Sequence, residues 1–152
     1  MKQNRKVMSL IMLCVVVIGC LIYMNYYKDY YKISRDSDAK YLYYNINNEA
    51  QEPILMSRSS IHNISLNKGD VLTTSLHENI IVAVKWKTEY DSSFINLTNN
   101  QVINIKRPAF AIKDGENFAR RILDFEILEA GEATIDFNYG SLKFSLELSI
   151  AE

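Results

Sequence analysis

From Leu142 to Ile150 every second residue is apolar: Leu142, Phe144, Leu146, Leu148 and Ile150 alternate with Lys143, Ser145, Glu147 and Ser149. Successive side chains of a strand point to opposite faces, so this period predicts a strand with one face in a core and the other in water. The pattern recurs upstream. Ile135, Phe137 and Tyr139 precede the turn Gly140-Ser141, and Arg120 to Glu129 sets Ile122, Asp124 and Glu126 against Leu123, Phe125 and Ile127. Ile61, Ile64 and Leu66 mark a strand that the turn Asn67-Lys68-Gly69-Asp70 closes. Val71 to Leu76 follows, and His77-Glu78-Asn79 reads as a second turn. Ile80, Val82, Val84 and Trp86 share one face of a strand from Ile80 to Lys87, and Val102 to Ile105 adds another. Asp114-Gly115 and Ala130-Gly131-Glu132 supply further turns. About seven short strands with regular turns predict an all-β chain, a β-sandwich over residues 58–152.

The start of the chain obeys a different rule. Val7 to Met24 holds no charged residue and follows Lys2, Arg5 and Lys6. As a helix it would rise about 27 Å, close to the roughly 30 Å of a bilayer core. A positive flank stays cytoplasmic. The expectation is therefore a single-pass protein of the cell membrane, with its C-terminal domain outside the cytoplasm. Three fates fit the segment 1–24. An uncleaved signal anchor is favoured, because Tyr23, Tyr26, Tyr27, Tyr30 and Tyr31 continue one helix face at the membrane–water boundary. Val17-Ile18-Gly19-Cys20 resembles a lipobox, which would place a lipid on Cys20. A cleaved signal is third, since no small-x-small site precedes a polar start. Residues 25–57 read as a Tyr-rich stalk, in which Asp36-Ser37-Asp38 could cap a short helix through Tyr44 and Asn45 to Pro53 breaks it. The Asn, Ile and Lys bias fits a bacterial envelope protein.

Composition removes several function classes. Beyond residue 24, 14 basic residues face 18 acidic ones, a mildly acidic balance that argues against nucleic acid. Cys14 and Cys20 both lie in the apolar run, so the exported part has neither disulfide nor thiolate site. His62 and His77 lack metal-binding spacing, and no phosphate loop or nucleophile elbow is present. No cofactor is implied. Ser57, Ser59 and Ser60 lie near His62, but a catalytic serine needs a base oriented by a third group. Asp124 and Glu126 fall on one strand face, where a solvated surface is the ordinary reading and a catalytic pair the exception.

The order of the remaining landmarks is specific. Leu66-Asn67-Lys68-Gly69-Asp70 precedes Leu76-His77-Glu78-Asn79, and Trp86 follows Asn79 by seven residues. Ala130-Gly131 precedes Tyr139 by eight, before a final alternating strand. Over about residues 60–151 this order resembles the chagasin-type cysteine-protease inhibitors, which are immunoglobulin-like sandwiches. The resemblance implies binding to papain-like proteases through three loops at one end of the fold. The inhibitory motifs themselves are not retained. Between Asn79 and Trp86, the family's Pro-Thr-Thr-Gly-aromatic is replaced by Ile80-Ile81-Val82-Ala83-Val84, a β-branched run that favours extended chain over a turn. Only Gly115 stands near the second, glycine-rich loop, at Glu116-Asn117-Phe118-Ala119, and Gly140-Ser141-Leu142 stands where the third carries Arg-Pro-aromatic.

These readings converge on a membrane-tethered, non-catalytic protein-binding domain. Its candidate contacts are Asn79, Ile80, Ile81, Val82 and Ala83, then Glu116, Asn117 and Phe118, then Gly140 and Ser141. The alternative is a structural component of an envelope complex, recognised through its anchor and the segment Tyr23 to Tyr44.

Overall fold

The computed structural model describes residues 8, 12–22, 40–80, 83–104 and 118–152. The chain divides into two compact units, Met1–Arg35 and Asp36–Glu152. In the first, residues 12–22 are helical, with Leu13, Val15, Leu21 and Ile22 exposed. Among the described residues no helix is long and apolar enough to cross a membrane. The tyrosine stripe from Tyr23 to Tyr31 and the turn Asp114-Gly115 lie outside the described residues.

The second unit is a two-sheet sandwich with ten strands among its described residues: β1 (Tyr41–Ile46), β2 (Glu49–Ala50), β3 (Ile54–Leu55), β4 (Ser60–Asn67), β5 (Val71–Asn79), β6 (Lys87–Tyr90), β7 (Ile95–Asn104), β8 (Phe118–Ile127), β9 (Gly131–Tyr139) and β10 (Leu142–Ala151). One sheet runs β2-β1-β5-β8-β7, with β3 also paired to β1, and the other runs β4-β10-β9-β6. The pairings are antiparallel except β4 with β10, which is parallel.

Alternation puts the core where the sequence places it. Phe144, Leu146, Leu148 and Ile150 of β10 face Leu72, Leu76, Leu123 and Phe125 of the opposite sheet within one buried cluster. Burying each such side chain contributes about 1.5–3 kcal/mol. Phe125 bridges the sheets, edge-on to Phe137 at 6.4 Å and to Tyr90 at 5.8 Å. All of the cluster lies between Leu42 and Ile150, so the second unit carries its own core.

Four local expectations fail. First, the sandwich begins at Tyr41 and not at 58. The segment read as stalk contributes β1, whose Leu42 is fully buried, in place of a short helix ending at Tyr44. Second, His77-Glu78-Asn79 is not a turn but the last three residues of β5, paired with Phe118, Ala119 and Arg120. Third, the strand expected from Ile80 to Lys87 does not form among its described residues: the chain turns at Ile80, is irregular from Ala83 to Trp86, and re-enters a sheet at Lys87. Fourth, the strand expected at Val102 starts at Ile95, with a register shift between Leu97 and Asn99.

A candidate contact surface at one end of the sandwich

Strand direction sorts the turns into two groups. Asn79 ends β5 opposite Phe118, which begins β8. The amide of Asn79 donates to the Tyr139 hydroxyl at 3.4 Å, and Tyr139 ends β9 immediately before Gly140-Ser141. A Cβ built on Gly140 would lie 3.7 Å from Cγ1 of Val84. The ends of all three candidate segments therefore meet at one end of the sandwich. The chain enters β1 at this same end, because β1 runs antiparallel to β5 and Lys40 accepts the amide of Met56 there. The turns at Asn47–Asn48, Asn67–Asp70 and Leu128–Ala130 lie at the other end.

The candidate residues differ in what they offer. Ala83, Gly140 and Ser141 are exposed, whereas Asn79 and Ile80 are half-buried. Phe118 is placed by its backbone alone, and Ile81, Val82, Glu116 and Asn117 lie outside the described residues. Gly140 adopts φ of +61°, which favours glycine in this two-residue turn. Beside the turn, Ala83, Val84, Lys87, Asn138 and Lys143 line a shallow groove of about 580 Å³. Cys20, the lipidation candidate, is exposed on the helix of the other unit.

Two buried devices fix the base of this end, and neither is visible as such in the sequence. Glu78 is fully buried, yet both its oxygens are met by Arg121: Nε lies 2.5 Å from Oε2 and Nη2 lies 3.1 Å from Oε1. Lys85, in the irregular segment, approaches Oε1 at 3.4 Å. Burial alone would raise the Glu78 pKa. The Arg121 hydrogen bonds and charge, aided by Lys85, outweigh that and hold it below its ordinary value. Arg121 also donates to Asn100 of β7 at 2.6 Å. The second device is Trp86. Its Nε1–H donates to the His77 carbonyl at 2.7 Å, and its ring stacks on Tyr139 at 4.8 Å. An irregular segment is thus pinned to both sheets.

The catalytic alternatives find little chemistry. Asp124 accepts from Thr73 through Oδ1 at 2.7 Å and from Asn99 through Oδ2 at 2.8 Å, while Glu126 accepts from Asn96 at 3.4 Å. These are cross-strand bonds on an outer sheet face. Ser60 Oγ lies 3.1 Å from His62 Nε2, but its proton is directed to the Ser57 carbonyl at 2.9 Å. Among the described residues no three His, Cys, Asp or Glu side chains group to hold a metal ion.

No family profile matches this chain, and no curated protein does. Among solved structures it is similar to the cysteine protease inhibitor EhICP2 from Entamoeba histolytica. That match has TM-score 0.48 and 15% identity, covering 62% of this chain and 98% of that one. It is also similar to amebosin, with TM-score 0.42 and 15% identity, covering 62% of this chain and 99% of that one.

Proposed function

We propose that this chain is a membrane-anchored, extracytoplasmic protein-binding domain that acts by contact and not by catalysis. Its binding surface is the end of the sandwich where Asn79–Ala83, Glu116–Phe118 and Gly140-Ser141 converge. The partner class is a papain-like protease, engaged by a divergent member of the chagasin-type fold. The observation that carries this reading is the bond from the Asn79 amide to the Tyr139 hydroxyl, which brings the first and third turns together. Pinned irregular segments suit a binding role, because a loop already held in place loses less entropy on association. The anchor is supported by the uncharged run from Val7 to Met24 and its basic flank.

The test titrates residues 36–152 against a papain-like protease and reads residual activity. Inhibition that is stoichiometric, and is lost when Ala83→Asp and Ser141→Asp are combined, supports the reading. Asn48→Asp at the opposite end should leave inhibition unchanged. No inhibition at micromolar domain rejects the protease and moves the search to envelope proteins bound at the same end. The anchor is tested separately. The full chain should stay with membranes through alkaline washing, and recovery in the wash would reject it.

A further inference from the structure

β7 is the outermost strand of its sheet and is paired, among the described residues, with β8 alone. A sheet edge exposes a row of free N–H and C=O groups, and proteins ordinarily blunt it with charges, proline, a bulge or shortness. The other edges here are blunted or anchored. β2 and β3 are two residues each, and β6 is four residues long with Lys87 and Glu89. β4 is uncharged, but its alternate residues Ile64 and Leu66 are in the core.

The first half of β7 is anchored in the same way, by Ile95 and Leu97, but its second half is not. The strand's ten residues, Ile-Asn-Leu-Thr-Asn-Asn-Gln-Val-Ile-Asn, include no charge, no proline and no glycine. Its one irregularity lies between Leu97 and Asn99, which leaves Asn99 to Asn104 as a straight run. From Asn100 to Asn104 every residue is exposed, on both faces of the sheet, Val102 at 40% and Ile103 at 49%. This half-strand buries little of its own and is held by its ladder to β8 and by the bonds of Asn99 to Asp124 and of Arg121 to Asn100. Uncharged, β-branched, amide-rich runs of six residues are strong pairing segments.

We infer that β7 pairs edge to edge with β7 of a second copy of this chain, joining two sheets into one. Self-pairing is favoured by the side chains. An antiparallel pair related by a two-fold axis sets the strand against itself. Carboxylates or ammonium groups so placed repel, whereas Asn and Gln amides both donate and accept and can face their own kind. The contact uses a sheet edge, so it is independent of the binding role proposed for the turns.

Residues 36–152 hold the whole core and neither cysteine, which makes them a clean background for cross-linking. Sedimentation should show a monomer–dimer equilibrium. Gln101→Cys should form a disulfide dimer under oxidation, and Asn63→Cys on β4 should not. Combining Val102→Glu with Ile103→Glu, which stand across the ladder from Arg121 and Arg120, should abolish the dimer while the domain keeps its sheet signature in circular dichroism. Amide exchange of residues 99–104 should also slow as concentration rises, a readout on the unaltered sequence that stands even if the double variant misfolds. A monomer up to millimolar concentration would overturn the inference, as would cross-linking through Asn63→Cys in place of Gln101→Cys.

Discussion

The Arg121 guanidinium closes on both carboxylate oxygens of Glu78 near the end of β5, and Lys85 joins them from the neighbouring irregular segment. A charge so enclosed is tolerated only while its partners remain. Removing Glu78 leaves Arg121, 15% exposed, facing only the Asn100 side-chain oxygen in place of a countercharge. Glu78→Ala should therefore destabilise residues 36–152 by about 3 kcal/mol in urea unfolding. Adding Arg121→Met should recover part of that loss. A single variant within about 0.5 kcal/mol of the parent would mean that the pair contributes nothing net.

The same geometry fixes a pH dependence. Glu78 is held below its ordinary value of 4.5, and Asp70 below 3.8 by the Asn67 amide and the Asn47 side chain. A depressed carboxyl stabilises the fold above its unfolded pKa and stops doing so as pH falls through its folded pKa. Stability should be flat near neutrality and decline as pH falls below about 4.5. Glu78→Gln combined with Asp70→Asn should flatten that decline. Equal acid sensitivity in the double variant would place the titrating groups elsewhere.

Trp86 should separate anchoring from packing. Trp86→Phe keeps an aromatic ring against Tyr139 but drops the donor to the His77 carbonyl, at a cost of about 1 kcal/mol. Trp86→Ala should cost about 3–5 kcal/mol, since it also empties a core position. Under the proposed function, Trp86→Phe should weaken inhibition more than its stability loss accounts for, because Lys85 and Val84 lose their pin. Unchanged inhibition in a folded Trp86→Phe would detach the segment from the binding surface.

These devices show what the sequence hides. Strands β9 and β10 are legible because their apolar residues alternate and they adjoin in the chain, and β8 is legible over Leu123 to Ile127, although Arg121 breaks its core face. β1 is not, because Tyr-Leu-Tyr-Tyr-Asn-Ile follows tyrosines at helical spacing, and only pairing with β5 makes Leu42 a core residue. His77-Glu78-Asn79 is polar and reads as a turn. It stays in the sheet because the countercharge for Glu78 comes from position 121. Conversely, Ile80 to Trp86 has a strand's alternation, but Trp86 is claimed by His77 and Tyr139 and the chain leaves the sheet to reach them. Of the candidate site, the turn at Gly140-Ser141 could be read from residue type. The convergence of Asn79, Phe118 and Tyr139 is expected only through the resemblance and not from residue type, since it depends on long-range register.

The far end offers a control for every binding measurement. Gly131 holds φ of +140°, and a Cβ there would stand 2.7 Å from Cε1 of Phe94. Phe94 is half-buried with its ring packed against the core, so withdrawing from a Cβ would give up part of that packing. Gly131→Ala combines a strained backbone with a clash and should cost about 2 kcal/mol. Gly69→Ala is the comparison: φ is +89° there, but nothing lies within 4 Å, so only the backbone term remains, about 1 kcal/mol. Phe94→Leu in the Gly131→Ala background should recover the clash and leave the backbone term. All three variants sit opposite the candidate turns, so inhibition measured well below their melting transitions should match the parent. A Gly131→Ala protein as stable as Gly69→Ala would show that Phe94 moves aside without cost.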